Sequence, residues 1–297
     1  MKVKLHYDLD YTTEEKIELG SKPKYYDHYN DYNSPIHIFT DKFLPLAETT
    51  DCKKKIALII ETPAIYEHAE NNNIININNN SSSGVYNPHR YLKQHPDLFD
   101  YVLTPYTSAR DIVGPDKWLW FPTTDTFLKE SDFGFYEKSR KLSIIASYKT
   151  WTVGHRLRHE IINKFGNQMD VYGSGYNDIL DNYGFNGKVQ ALAPYMFTIA
   201  VSNTPENDDF SEIITDACLV GTIPIFWGTS NIGNYMNGDG ILHFSNLNDL
   251  DIILKSLSKE LYDSKIEAVK DNMNRARKFK NGFDWVYLNY QKEIFNL

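Results

Sequence analysis

The run MFTIAVSNTPENDDFSEIITDACLVGTIPIFWG, residues 196–228, constrains the fold more than any other part of the chain. It opens with MFTIAV, apolar on successive residues, as a strand covered on both faces is. It turns polar and acidic through TPENDD, takes up helical spacing at Ile214, Ala217, Cys218 and Gly221, and closes on a second apolar run, TIPIFWG. Strand, helix and strand in that order predict a parallel crossover unit. The unit delivers Ser202 and Asn203 to the carboxyl end of its first strand, where open α/β sheets take ligands. A helix is expected to begin near Asp209, and Asp209 and Glu212, three apart, fit a capping box with an Asp cap. Glu212 therefore has two readings. It either favours the positive end of the helix or accepts hydrogen bonds from the two ribose hydroxyls of a nucleotide.

The same rhythm runs through the rest of the chain. KVKLHY, PIHIF, KIALIIE, LFDYVLT and KWLWFP read as strands of a first half, and LSIIASY and MDVYG as strands of a second. VGHRLRHEIINKF and KVQALAPY carry helix patterns between them. Strands alternating with helices predict doubly wound parallel sheets, hence an α/β protein. The boundaries expected are 1–125 for an N-terminal α/β domain, 126–140 for a polar linker without periodicity, and 141–297 for a C-terminal domain. From about Asn246 the tail reads as helical, with Ile253, Leu257 and Leu261 four apart on one face. The low-complexity insert NNNIININNNSSSG, 71–84, reads as a surface loop, because Asn and Ser bond to nearby backbone in place of regular structure. Its Asn-x-Ser triplets match glycosylation acceptors only formally.

Composition excludes several classes. A net charge of −8 over 297 residues argues against a nucleic-acid partner, which needs clustered Lys and Arg. The two cysteines, Cys52 and Cys218, imply no disulfide framework and favour a reducing compartment. The opening MKVKLHYDLDYTTEEK lacks the apolar core of a signal peptide, and no run approaches the roughly 18 apolar residues of a membrane span. A cytoplasmic protein without a transmembrane segment is expected. The 21 Tyr, 16 Phe and 5 Trp suit sugar-binding surfaces, although such rings also fill cores.

The segment 203–228 resembles the C-terminal half of the α1,3-fucosyltransferases (glycosyltransferase family 10). Their pattern runs Phe-Glu-Asn-Ser, then Thr-Glu-Lys, then a Gly-Thr-Val-Pro-Ile-Tyr-Trp-Gly strand. Asn203, Glu212, Ala217, Gly221, Pro224, Trp227 and Gly228 fall in register with it. IIASYKTWTVGHRLRHEI supplies the Arg that the family places on a helix after a strand, at Arg156 with Arg158 near it. MDVYGSG, IIETPAIY and DLFDYVLTPYTSARDIVGP resemble further family segments in the right order, so the likeness runs from about Lys55 to about Phe244.

The resemblance implies a GT-B-like fold of two Rossmann-like domains facing a cleft, with a helical C-terminal tail. It implies an inverting transferase that needs no metal or other cofactor and moves fucose from GDP-fucose to a glycan hydroxyl. The first domain would serve the acceptor and the second the nucleotide-sugar donor. Carried over, Glu61 is the general base, Arg156 holds the diphosphate with help from Arg158, and Asn203 and Glu212 contact the donor. Three positions depart from the pattern: the family Lys after the Glu is Ile213, the Tyr found in some members three before it is Asp209, and the Glu of Phe-Glu-Asn-Ser is Ser202. Arg158, Lys149 or Lys188 could replace the lost Lys. Two rival functions follow. One is a metal-dependent nucleotide-sugar transferase using Asp8 and Asp10 as its Asp-x-Asp motif, a motif that recurs at Asp249 and Asp251. The other is a non-catalytic glycan-binding protein with a transferase-like fold. His155 and His159, four apart, lack an evident third metal ligand.

Overall fold

The computed structural model describes residues 2–6, 24–25, 27–29, 32–72, 86–176 and 187–296, and these divide into two compact units. The first takes the described residues up to Thr123 and those from Asn281 onward; the second runs from Thr124 to Lys280.

In the first unit β1 (Lys2–His6), β2 (Asp27–Tyr29), β3 (Ile36–Thr40), β4 (Lys54–Leu58), β5 (Tyr101–Leu103) and β6 (Trp118–Leu119) form one sheet. Its order is β2-β1-β3-β4-β5-β6, parallel at every pairing. All five residues of β3 are buried, its two polar ones with partners: Thr40 Oγ1 donates to His6 O, and the His37 and His6 rings bond each other at 3.0 Å. The connections carry α1 (Pro63–Asn71), α2 (Pro88–Gln94) and α3 (Thr107–Val113). Pro63 opens α1, where a missing N–H costs nothing. Asn87 caps α2 by accepting from the N–H groups of His89 and Arg90.

In the second unit β7 (Arg140–Ile145), α4 (Val153–Phe165), β8 (Asp170–Tyr172), α5 (Lys188–Leu192), β9 (Tyr195–Val201), α6 (Glu212–Leu219), β10 (Ile223–Trp227) and β11 (Leu242–His243) succeed one another. The sheet order is β11-β10-β9-β7-β8, again all parallel. Leu142, Ile144, Phe197, Ile199, Ile223 and Ile225 form its core with Ile161 and Phe165 of α4. Gly221 ends α6 at φ +72, a left-handed turn that L residues with a side chain resist, and so frees the chain to enter β10. The helices α7 (Leu247–Ser256), α8 (Lys259–Ser264) and α9 (Ile266–Ala276) complete the unit.

Both sheets are wound alike. The first strand pairs with the second on one side and the third on the other, so the order reverses between β1 and β3 and again between β7 and β9. A crevice outside the carboxyl ends at that reversal is where such sheets bind ligands.

Three expectations are corrected. The tail is not wholly part of the second unit: α10 (Gly282–Asn289) and the residues after it belong to the first. Phe283, Val286, Ile294 and Phe295 share its core with Val3, Ile36, Ile38 and Ile56, and Lys54 Nζ donates to the carbonyls of Glu293, Ile294 and Asn296. The segment expected as a linker is packed, with Thr126 and Leu128 buried and Lys138 Nζ donating to the carbonyls of Ala193 and Val220. Ile253, Leu257 and Leu261 do not share one helix, because α7 stops at Ser256 and the Ser258 side chain caps α8 by accepting from Leu261 N–H. All three still pack on one core.

Candidate functional site

The reversal point of the second sheet gathers most of the polar groups singled out in the sequence. The first turn of α4 lies against the end of β9. Gly154 N–H donates to Asn203 O at 3.0 Å, and a Cβ on Gly154 would stand 1.8 Å from Ser202 O, so only glycine permits the contact. Thr152 caps the helix in a capping box with His155 in the place of the usual Glu: Thr152 N–H donates to His155 Nδ1 at 3.2 Å, and His155 N–H to Thr152 Oγ1 at 3.2 Å. Burial, and then the charge of Arg158, push the His155 pKa down to about 3, so the ring is neutral.

Arg156 and Arg158 stand two apart on α4 and therefore face different ways. Arg158 turns inward. Its Nε donates to Val201 O at 3.1 Å and one Nη to Asn203 Oδ1 at 3.1 Å. Burial brings its pKa down to about 10, partly opposed by the charge of Glu212, so it is a cation at neutral pH. Arg156 turns outward, exposed, with one Nη donating to Thr150 O at 3.1 Å. Lys149, in the loop before the helix, is exposed too, its ammonium 5.0 Å from the centre of the Trp151 ring.

The capping box expected of Asp209 and Glu212 is absent. Phe210 is buried against Tyr235 and Phe279, and Ser211 stays extended at φ −117°, so α6 starts at Glu212 with Ser211 as a cap that makes no side-chain bond. Glu212 meets Lys188 instead. The ammonium lies 3.3 Å from Glu212 Oε1 and 2.8 Å from Asp216 Oδ2, over the Phe127 ring at 4.5 Å. Asp216, one turn along α6, also accepts from Thr126 Oγ1 and Phe127 N–H. Burial alone lowers the Lys188 pKa, but the carboxylates of Asp216 and Glu212 outweigh it and hold it raised. Lys188 thus bridges Glu212 and Asp216, and the charge of Glu212 also acts on Arg158. Of the three bases weighed as replacements for the family Lys at Ile213, Lys188 is the one in contact with Glu212.

In the first unit Glu61 sits in the turn between β4 and α1. Tyr106 Oη donates to Ile60 O at 2.9 Å, and His89 Nε2 lies 2.9 Å from Glu61 O. Burial lowers the His89 pKa, so a neutral ring donates there through Nε2. Asp41, the first residue after β3, accepts from Ile60 N–H at 3.2 Å, from Glu61 N–H and from Tyr66 Oη. Burial, then the charge of Glu61, raise the Asp41 pKa to about 7. Nothing in the sequence marks Asp41, since a lone Asp after a strand is ordinary and its neighbours come from residues 60–66.

Asp8 and Asp10 lie outside the described residues, as does most of the 71–84 insert. The second Asp-x-Asp is locally used: Asp249 accepts from Ser245 N–H and the Asn246 amide, and Asp251 pairs with Lys255. His155 and His159 do not combine, since His159 bonds Tyr176 Oη and Lys149 O. Among the described residues no three His, Cys, Asp or Glu groups are placed to hold a metal ion, and no helix is long and apolar enough to cross a membrane.

Two parallel α/β units of this winding define the GT-B class of fold. Part of the chain is similar in sequence to a fucosyltransferase-like protein, and its fold is similar to that of α1,3-fucosyltransferase and of other glycosyltransferases. No family model matches it. A fucosyltransferase-like protein of Arabidopsis thaliana is 28% identical over 99 residues, 33% of this chain and 19% of that one. A crystal structure of an α1,3-fucosyltransferase with GDP-fucose superposes at a TM-score of 0.54, with 14% identity over 98% of this chain and 91% of that one. Sucrose-phosphate synthase from Thermosynechococcus elongatus gives 0.55, with 9% identity over 88% of this chain and 74% of its own. The Anabaena protein HepE, in complex with UDP-glucose, gives 0.52, with 10% identity, 86% and 76%.

Proposed function

We propose that this chain is an inverting, metal-independent glycosyltransferase that moves a sugar from a nucleoside-diphosphate donor, GDP-fucose by preference, to a hydroxyl of a carbohydrate acceptor. The observation that carries the proposal is the convergence of Arg158, Asn203 and the Lys188–Glu212 pair at the reversal point of the second sheet, beside the start of a 13-residue helix. Outward-facing Arg156 and the α4 N-terminus bind the diphosphate and stabilise the charge that builds as it leaves. Arg158 stays on Val201 O and holds the Asn203 amide, while Glu212, its charge partly met by Lys188, accepts from the ribose hydroxyls. In the first unit Glu61 takes the proton of the acceptor hydroxyl. The acceptor oxygen forms its bond to the anomeric carbon on the face opposite the diphosphate, and the electron pair of the breaking bond leaves on GDP. The fucosyltransferase resemblance supports GDP-fucose over the UDP-sugars used on the same fold.

Calorimetry of GDP, UDP, CMP and GDP-fucose with the purified protein, with and without EDTA, tests this. Metal-independent binding of GDP and GDP-fucose, weakened at least tenfold by Arg156→Ala, is expected. Binding of UDP that requires metal would turn the assignment towards Asp8 and Asp10. An absence of any nucleotide binding would leave a glycan-binding protein.

A further inference from the structure

We propose that Asp208 is a positioning residue for Glu212: it clasps the loop after β9 to the loop after β10, and through that clasp it fixes the start of α6, where Glu212 meets the ribose. The inference rests on the reading of Glu212 as the ribose contact.

The loop after β9 is anchored first at Asn203, whose carbonyl accepts from Gly154 N–H. Its far end delivers Glu212, and there the Ser211 cap of α6 makes no side-chain bond. Asp208 supplies the second anchor. Its backbone stands at φ +62°, in the left-handed region that Asp and Asn tolerate better than other residues with a side chain. Both its N–H and its carboxyl meet the segment that follows β10. The N–H donates to Thr229 Oγ1 at 3.1 Å and to Asn231 Oδ1 at 3.0 Å. The Asn231 amide donates back to Asp208 Oδ1 at 2.6 Å, and the same oxygen accepts from Tyr235 Oη at 2.6 Å. Thr229 Oγ1 also donates to Asn231 Oδ1, and Ser230 Oγ to Asn207 Oδ1 at 3.1 Å.

The clasp reaches Glu212 by packing. Tyr235, tied to Asp208 through its hydroxyl, sets its ring 4.9 Å from that of Phe210, and the Phe279 ring closes edge-on at 5.5 Å. Phe210 is 1% exposed. A ring so enclosed cannot shift without repacking its neighbours, and Glu212 lies two residues beyond it. The Glu212 backbone is thus placed by Asp208, Tyr235 and Phe210, while Lys188 holds its side chain. A carboxylate accepts from ribose hydroxyls only at hydrogen-bond range, so a shift of about 1 Å at the start of α6 forfeits the contact.

Calorimetry of GDP and 2′-deoxy-GDP with the full chain tests the clasp, since the two ligands differ only in a ribose hydroxyl. The parent protein is expected to prefer GDP by about tenfold. Asp208→Gly removes the carboxyl yet accepts the left-handed backbone, and should bring that preference close to one, mainly by weakening GDP. Asp208→Asn keeps an acceptor oxygen and the backbone, and should restore the preference. Tyr235→Phe keeps the ring and deletes one arm of the clasp. It should lower the preference part of the way, and it decides alone if Asp208→Gly does not fold. A merely structural tie predicts a lower melting temperature with both ligands weakened alike and the preference intact, and that result overturns the proposal. Glu212→Ala separates the proposal from the reading beneath it. If Glu212→Ala abolishes the preference while Asp208→Gly leaves it whole, Glu212 keeps its role and the clasp loses its own. A parent protein that binds both ligands equally, or neither, refutes the ribose contact and the inference with it.

Discussion

At the scale of single residues, function and packing are separable by which atoms are committed. Glu61 has its backbone carbonyl and N–H tied by His89 and Asp41. Glu61→Gln should therefore leave the turn and donor affinity nearly unchanged while lowering turnover by about 100-fold or more, as expected on losing a general base. Turnover within tenfold of the parent protein would remove Glu61 from the reaction. Gly154 is the converse case, a residue with no side chain whose absence of Cβ is the point. Gly154→Ala forces a methyl into Ser202 O and should cost about 1–3 kcal/mol, read as a lower denaturant midpoint. It should also weaken nucleotide binding, because the start of α4 must withdraw from Asn203. An unchanged midpoint would mean that this contact yields freely.

At the scale of elements, α6 shows how a local rule is overridden. Asp209 and Glu212 have capping-box spacing, yet burial of Phe210 keeps Ser211 extended and moves the helix start to Glu212. The carboxylate freed from capping joins Lys188 and Asp216, whose side chains are 6% and 0% exposed. A buried ion pair is weak evidence of stability, but breaking one leaves a stranded charge. Lys188→Met should accordingly destabilise the protein by about 3–5 kcal/mol and weaken GDP binding, in urea unfolding and calorimetry respectively. A loss below about 1 kcal/mol would show that the carboxylates find other partners.

For the whole molecule the clearest expectation is acid lability. His6 is held at about 4 by burial and then by His37, His155 at about 3, and His89 is lowered as well. All three are neutral in the native state at pH values where the unfolded chain, with an ordinary His pKa near 6.5, takes up protons. Stability therefore falls as pH drops below about 6.5 and continues to fall towards 4. Asp41 works the other way, since a raised carboxyl binds its proton more readily in the folded state. Asp216, likewise raised by burial, adds to Asp41, but the three histidines outnumber the two carboxyls and the net effect near pH 5.5 is a loss of stability as pH falls. Melting temperatures measured from pH 7 to pH 5 should decline, and a flat profile would contradict the buried neutral rings.

How much of this was legible beforehand follows from the range of the interactions. The strands and α4 were readable because burial on both faces and a 3.6-residue period are written in consecutive residues; MFTIAV lies within β9 and VGHRLRHEIINKF coincides with α4. Asn203 could be placed at a strand end for the same reason. The partners were not readable. Lys188 reaches Glu212 across 24 residues and Asp41 reaches Ile60 across 19, and no periodicity spans such distances. Nor could an amphipathic tail declare which sheet it would cover, and from Asn281 it covers the first. The sequence by itself determined the α/β alternation, the strand ends and the fucosyltransferase resemblance, all of which rest on short-range pattern. Only the tertiary structure decided which charges pair, which helix start fails to cap and where the tail packs, because those outcomes depend on burial contributed by residues distant in the chain.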